Sequence, residues 1–180
     1  MAEQEPKKTT LLHWLRIVTV GRKPRWTLIR LAVLILVTVL GYKFVLLPIR
    51  VSGISMEPTF HNGTVNVVNR LSYIGGREPQ RGDVVAIKMT GDHVLLLKRV
   101  VGLPGESVGF SHGHVVINGV RQEEPYLKFP SYWEMRPTLL GPNDYYYVGD
   151  NRTMPLENHE HGYKSKDQIV GKVLIGGSGG

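Results

Sequence analysis

A long apolar segment near the start of the chain constrains its architecture more than any other feature. Leu31–Leu40 carry no charge, and apolar flanks extend the segment to Leu28–Leu47. About 20 such residues in a helix span the ~30 Å hydrocarbon core of a bilayer. Arg30 and Lys43 lie near the two ends, where long cationic side chains reach the lipid headgroups. The segment therefore predicts a transmembrane anchor over residues 28–48.

The distribution of charge around this segment predicts its orientation. The chain has a formal net charge of +7, and residues 1–30 hold seven Lys and Arg against two Glu, a net +5. Only +2 remains for the rest of the chain, which has no basic stripe interleaved with aromatic residues. Because Lys and Arg beside a membrane span stay in the cytoplasm, residues 1–27 are predicted to form a cytoplasmic leader. Binding to nucleic acid is not expected.

Two other interpretations of the apolar segment remain open. A helix buried in a protein core would have a similar composition. A cleavable signal peptide would need a pair of small residues after the apolar run, and Gly41–Phe44 offers no such site. Upstream of the segment, Leu11–Val18 could form a short amphipathic helix on the membrane surface.

The remainder of the chain has the pattern of a β-rich domain. Short apolar runs separated by Gly, Pro and Asn predict strands at Val65–Val68, Asp83–Ile87, Val94–Val101, His114–Ile117, Tyr145–Val148 and Val170–Ile175. Asn118-Gly119 predicts a hairpin turn. Since no comparable helical pattern follows the anchor, residues 49–175 are predicted to form one extracytoplasmic, mainly β domain, with a flexible Gly/Ser tail at 176–180.

Ser55 and Lys98 form a candidate catalytic pair. A serine hydroxyl is a weak nucleophile until a base removes its proton, and a lysine can be that base when burial lowers its pKa. On a strand, Lys98 would share a face with Leu96 and Val100, while Arg99 pointed to the other side. Taken alone, a strand-edge lysine and a turn-capping serine are the plainer interpretations. The absence of cysteine excludes a thiol nucleophile, a disulfide framework and a thiolate zinc site.

Four segments stand in an order that carries a resemblance. They are Gly53–Thr59, Arg81–Val85, Lys98–Glu106 and Tyr147–Arg152, followed by the shorter Val170–Lys172. Together they resemble the bacterial type I signal peptidases, a family of membrane-bound serine proteases with a Ser-Lys dyad. The resemblance implies a mainly β fold of several coiled antiparallel sheets, preceded by one N-terminal transmembrane helix.

The resemblance also implies roles by position. Ser55 would be the nucleophile and Lys98 the general base, and the backbone N–H of Ser55 would contribute to an oxyanion hole. Four neighbours of Ser55 would shape the oxyanion site and the substrate cleft, namely Gly53, Ile54, Met56 and Pro58. Some members of the family carry a serine hydroxyl at the position of Gly53, so a second oxyanion donor here would be backbone or water.

The last segment implies structural support for the dyad. Asp150 and Arg152 would form an ion pair, although a plain surface pair has the same spacing. The chain departs from the family pattern just beyond, because Pro155 stands where a serine usually bonds the lysine. Thr153 is the residue that could replace that serine.

Two histidine pairs suggest an alternative chemistry. His112 with His114, and His159 with His161, could each place two imidazoles on one face of an extended segment and ligate zinc. The plainer interpretation is that they are exposed loop residues. Because a Ser-Lys dyad needs no metal, the prediction is an enzyme without metal or cofactor.

The resemblance predicts a single-pass protein of the bacterial cytoplasmic membrane that removes signal peptides from exported preproteins. Its partners would be those preproteins and membrane lipid, while the oligomeric state stays open. A peptidase dedicated to one pilus or conjugation precursor, a catalytically silent binder of exported chains and a self-cleaving cytoplasmic repressor are the alternatives. The anchor disfavours the repressor, and the retention of both Ser55 and Lys98 disfavours the silent binder.

Overall fold

The structure is a computed structural model that describes residues 24–89 and 95–174. The predicted basic leader up to residue 23, the surface helix at residues 11–18 and the tail at 176–180 lie outside the described residues. The chain divides into two compact units, residues 1–44 and residues 45–180.

The first unit contains helix α1, which covers Pro24–Val45. At 1.5 Å per residue its 22 residues extend about 33 Å, close to the thickness of a bilayer core. Large apolar side chains are exposed along its length, from Trp26 to Phe44. The Thr38 hydroxyl donates to the Leu34 carbonyl at 2.8 Å, so this polar group is satisfied within the helix. By length and composition, Arg25–Val45 could cross a membrane, and it is the one such helix in the described ranges.

The helix ends earlier than the apolar pattern predicted. The predicted segment continued to residue 48, but Leu46–Arg50 form strand β1 instead. Pro48 cannot continue a helix, because its ring removes a backbone donor. The five residues of β1 pair antiparallel with Val65–Asn69, which satisfies the backbone groups on that side of this edge strand.

The second unit is built from antiparallel strands. The strands after β1 are β2 (Val65–Asn69), β3 (Val84–Lys88), β4 (Leu95–Gly102), β5 (Ser107–Ser111), β6 (His114–Ile117), β7 (Val120–Arg121), β8 (Met135–Leu139), β9 (Asp144–Val148), β10 (Gly162–Ser165) and β11 (Ile169–Leu174). Two short 3₁₀ helices, Leu156–Asn158 and Lys166–Gln168, are the helices described in this unit. The predicted mainly β fold class is confirmed.

The strands form two sheets. The seven-stranded sheet has the order β1-β2-β11-β3-β4-β9-β10, and the four-stranded sheet has the order β7-β6-β5-β8. Strand β4 therefore lies between β3 and β9, inside the larger sheet, with Lys98 directly opposite Val85. A lysine at this place is a central residue of the sheet and not the strand-edge residue that the plainer interpretation described.

Three buried apolar clusters hold these sheets together. One is centred on the smaller sheet and includes Phe110 and Trp133. A second packs Val51 and Met56 from the β1–β2 segment against β2 and β3. The third contains Val100 and Tyr147, which are paired across β4 and β9. Burial of apolar area at about 25 cal/mol per Å² makes these clusters the main source of stability.

The predicted hairpin turn is confirmed. Asn118 and Gly119 connect β6 to β7 with φ values of 50° and 82°. Positive φ at both central residues defines a type I′ turn, whose twist matches that of paired strands. The Asn118 side chain accepts from the Ser107 N–H at 2.8 Å, so the turn is also tied to the start of β5.

Candidate active site

Ser55 lies in the loop that connects β1 to β2. The ends of this loop are joined by two backbone hydrogen bonds of 2.9 Å, from Val51 to the Thr64 carbonyl and from Gly63 to the Val51 carbonyl. Gly53 has a φ of 101°, a left-handed conformation that favours glycine. Met56 is buried in the core and anchors the loop there. The Ser55 hydroxyl is therefore carried by a loop that is anchored at both ends.

Lys98 meets Ser55 from the middle of β4. Its Nζ donates to the Ser55 Oγ at 2.9 Å. The side chain is 1% exposed, and this burial lowers the pKa of the ammonium below its ordinary value of 10.5, while the charges of Glu160 and Asp150 act in the opposite direction. A lysine in this environment reaches the neutral form, which can accept a proton, at a lower pH than an exposed lysine does.

The pair faces a cavity of about 340 Å³. Ser55, Lys98 and three of the predicted cleft residues line it, namely Gly53, Ile54 and Met56. Pro58 is not among the lining residues, and its peptide bond with Glu57 is cis. Leu95–Leu97 supply apolar lining, and Met154 and Asn158–Glu160 contribute from the segment after Arg152. The hydroxyl is accessible through a small, largely apolar cleft.

Asn151 holds the Ser55 loop in place. Its backbone N–H donates to the Ser55 carbonyl at 3.0 Å, and its Nδ2 donates to the Ile54 carbonyl at 3.1 Å. The loop and the segment after β9 are far apart in sequence, so these two bonds fix the distance between them. Gly53 N–H is also occupied, because it donates to the Asn62 side chain at 3.1 Å. Gly53 N–H is thus not the second oxyanion donor.

Gly149 allows the close approach of these two segments. A Cβ atom at this position would lie inside van der Waals contact of the Ser55 carbonyl oxygen and 2.7 Å from His159 Nε2. Both neighbours are fixed, one as backbone and one as a buried ring. The position therefore requires glycine for its lack of a side chain.

The prediction that Asp150 and Arg152 pair with each other is wrong, because each pairs with a different residue. Asp150 receives two hydrogen bonds from Arg99, at 2.8 and 2.6 Å, and one from the Thr59 hydroxyl at 2.5 Å. Arg152 pairs with Glu124 at 2.8 Å, and both of these side chains are buried. Both residues lie beyond the end of β9 at Val148, so the regular geometry of a strand does not hold their side chains on one face.

The predicted substitution of Thr153 for the missing serine is also not what the structure shows. The Thr153 hydroxyl donates to Asn151 Oδ1 at 2.7 Å, and so supports the segment that holds the Ser55 loop. Pro155 begins a single 3₁₀ turn over Leu156–Asn158. This turn brings His159, rather than a residue at position 155, back to the dyad.

The four histidines are not arranged as a metal site. His114 Nε2 pairs with Arg121 at 2.7 Å and His161 Nδ1 pairs with the Tyr146 hydroxyl at 2.6 Å. His159 is buried, contrary to the expectation of an exposed loop residue. Within residues 24–89 and 95–174, no group of three or more His, Cys, Asp or Glu could hold a metal ion.

Sequence reasoning missed Glu124 and Glu160, and it named His159 only as a possible metal ligand or an exposed loop residue. Glu124 is the buried partner of Arg152, and His159 and Glu160 line the cavity beside Lys98. Each lies in a polar stretch without periodicity, so the sequence carried no signal of burial. For Glu124, the adjacent Glu123 makes the choice of buried residue ambiguous as well.

Comparison with known proteins places this sequence in a family. A sequence model described as "Signal peptidase, peptidase S26" matches residues 25–176. Signal peptidase I S of Bacillus subtilis is 32% identical across 94% of this chain and 90% of its own length. Signal peptidase IB of Staphylococcus aureus is 32% identical across 81% of this chain and 85% of its own length.

Two further similarities are more partial. The probable signal peptidase I-2 of Synechocystis is 32% identical over 67% of this chain, and the match spans 58% of that relative's length. A crystal structure of a signal peptidase I from Enterococcus faecalis aligns with 54% of this chain and 98% of its own, with 23% identity and a TM-score of 0.44.

Proposed function

The chain belongs to the signal peptidase family, peptidase S26, and on that basis we propose that it is a membrane-anchored serine endopeptidase that removes signal peptides from exported preproteins. The observation that carries the proposal is the 2.9 Å contact between Lys98 Nζ and Ser55 Oγ at the wall of an open cavity. A serine beside a buried lysine has a direct use in acyl transfer.

The proposed reaction begins with neutral Lys98. Its lone pair takes the proton of the Ser55 hydroxyl, and Oγ attacks the carbonyl carbon of the scissile peptide bond. The backbone N–H of Ser55 stabilises the resulting oxyanion, where one such donor is typically worth about 3 kcal/mol. The ammonium of Lys98 then donates its proton to the departing amine. Water, deprotonated by the same lysine, releases the acyl group from Ser55.

The size of the cavity supports a substrate with small side chains next to the cut. A volume of about 340 Å³ lies near the lower end of the range for ligand sites. The walls around Ser55 include the apolar Ile54 and Leu95. An extended segment with small residues at the first and third positions before the scissile bond fits such a cleft.

The proposed topology has the leader in the cytoplasm, α1 in the membrane and the β domain outside. The net charge of +5 over residues 1–30 supports this orientation. Substrates that arrive in the same membrane would meet the enzyme at a raised effective concentration. The partners are thus signal-peptide-bearing preproteins and membrane lipid.

The experiment that tests the function is cleavage of a preprotein with an Ala-x-Ala site by the detergent-solubilised full chain. Ser55→Ala and Lys98→Met are each expected to lower kcat more than about 10³-fold, because either one removes the dyad. Ser111→Ala and Lys128→Met make the same changes outside the cavity and are expected to retain activity. Cleavage that survives both dyad substitutions would contradict the mechanism.

Cleavage of one pilus or conjugation precursor, but not of general preproteins, would indicate the dedicated peptidase instead. A folded parent protein that binds both substrates and cuts neither would indicate the silent binder.

A further inference from the structure

His159 occupies a buried position beside the dyad that the proposed reaction does not use. Its side chain is 5% exposed and packs against the Trp133 ring, with 4.8 Å between ring centroids. It lines the same cavity as Ser55 and Lys98. A buried polar group requires a partner, because an unsatisfied one costs about 1–3 kcal/mol.

The partner of His159 is the backbone of Gly149. The Gly149 N–H donates to His159 Nε2 at 3.0 Å, in a buried hydrogen bond. Acceptance at Nε2 places the ring proton on Nδ1 and requires a neutral imidazole. Burial, together with the charges of Lys98, Arg152 and His161, lowers the pKa of His159 to about 3. The ring is therefore a neutral acceptor at every pH at which the protein would work.

Gly149 contacts both the His159 ring and the Ser55 loop. The position that a Cβ of residue 149 would occupy is bounded by both the Ser55 carbonyl oxygen and His159 Nε2. Two residues further on, Asn151 donates its backbone N–H and its side chain to the carbonyls of Ser55 and Ile54. A displacement of Gly149 would therefore move Asn151, and with it the loop that carries Ser55.

We propose that His159 is a positioning residue, whose acceptance of the Gly149 N–H holds the Gly149–Asn151 segment against the Ser55 loop and keeps Oγ at hydrogen-bond distance from Lys98. The role rests on the proposed function, because it acts through Ser55. The 3₁₀ turn after Pro155 ends at His159, whose N–H bonds the Leu156 carbonyl at 3.1 Å.

Two substitutions separate positioning from packing. His159→Phe keeps an aromatic ring against Trp133 and removes the acceptor. His159→Gln keeps an acceptor at a similar distance from the backbone and removes the ring. Since the native ring is neutral, neither variant changes the charge beside Lys98. A role limited to packing predicts that Phe is tolerated and Gln is not, whereas positioning predicts the reverse.

The test combines kinetics with amide hydrogen exchange on the full chain in detergent. His159→Phe is expected to lower kcat roughly tenfold to a hundredfold, as a misplaced reacting group does, with KM unchanged within about twofold. Amide exchange at Gly149 and at Asn151 is expected to accelerate at least about tenfold. His159→Gln is expected to restore kcat and both protections to within about threefold of the parent.

The outcomes distinguish this proposal from the proposed function. Normal kcat in His159→Phe, or unchanged exchange at Asn151, would overturn the positioning role while leaving the dyad intact. Cleavage that persists in Ser55→Ala would overturn the function. In that case exchange at Asn151 still reports whether His159 holds the Ser55 loop, because that measurement needs no turnover.

Discussion

Lys98 shows how one residue type acquires reactivity from its surroundings. On an exposed strand it would remain charged throughout the physiological range. In the larger sheet its aliphatic stem and ammonium are withdrawn from water, and burial lowers the pKa of the group. Its neighbour Arg99 has its guanidinium paired with Asp150 instead. The alternation of strand side chains separates these two cations.

The pH dependence of cleavage follows from the state of Lys98. Only the neutral amine accepts the Ser55 proton, so kcat/KM is expected to rise with pH as Lys98 deprotonates. The pKa on that limb is expected below the ordinary value of 10.5, because burial lowers it. A pH profile of kcat/KM for the parent measures this limb. Lys98→Arg, which stays protonated, is expected to be inactive at every pH. Activity that falls with rising pH from neutrality would contradict a lysine base.

At the scale of elements, the segment after β9 connects three parts of the fold. Gly149 lets the Ser55 loop approach closely because it has no side chain. Asp150 pairs with Arg99 of β4, and Asn151 bonds the Ser55 and Ile54 carbonyls. Arg152 pairs with Glu124, in the segment between β7 and β8. Gly149 and Asn151 both contact the Ser55 loop, while Asp150 and Arg152 have separate partners, so this short segment joins three parts of the fold.

The pair of Asp150 and Arg99 is expected to matter for stability. Asp150→Asn leaves the Arg99 guanidinium, whose side chain is only 11% exposed, without its counterion. Removing one partner of such a largely buried pair costs about 3 kcal/mol. The free energy of unfolding by denaturant, followed by far-UV circular dichroism in detergent, measures the loss. Glu78→Gln makes the same chemical change in a largely exposed pair with Lys166 and is expected to stay within about 0.5 kcal/mol of the parent. Equal effects of the two substitutions would show that burial of the pair does not decide its contribution.

Strand prediction succeeded where the apolar runs were strong. All six predicted strands are present, and each of their ends lies within one residue of the prediction; they are the strands around Val65, Val84, Val100, His114, Tyr145 and Val170. The strands β1, β5, β7, β8 and β10 were not predicted. Strand β8 contains Pro137, and β5 contains Gly109, which are both typical of turns. These strands form because paired neighbours satisfy their backbones, which is a property of the sheet.

At the scale of the whole molecule, the proposed topology separates the leader from the β domain by one membrane. The chain has no cysteine, so a single introduced cysteine reports its own side of the membrane. In intact cells a membrane-impermeant maleimide is expected to label Glu123→Cys, an exposed position of the β domain. Thr9→Cys, in the leader, is expected to react only after the cells are opened. Labelling of Thr9→Cys in intact cells would reverse the orientation.

The sequence alone was sufficient for the features that depend on composition and local order. A long apolar segment favours a helix, so a helix able to cross a membrane could be predicted, although Pro48 and the pairing of β1 moved its end to Val45. The Ser55 and Lys98 segments identified the family by residue type and order. The Asn118-Gly119 turn followed from the positive φ that those residues tolerate.

Only the tertiary structure decided how the candidate site is supported. The partners of Asp150 and Arg152, the burial of His159 and the bonds from Asn151 to the Ser55 loop all join residues from separate elements. Such contacts depend on which strands are neighbours in the sheet and on how closely two backbones approach. A polar residue has the same identity in a solvated loop and in a buried network. Its partners exist only once the chain has folded, and they decide its role.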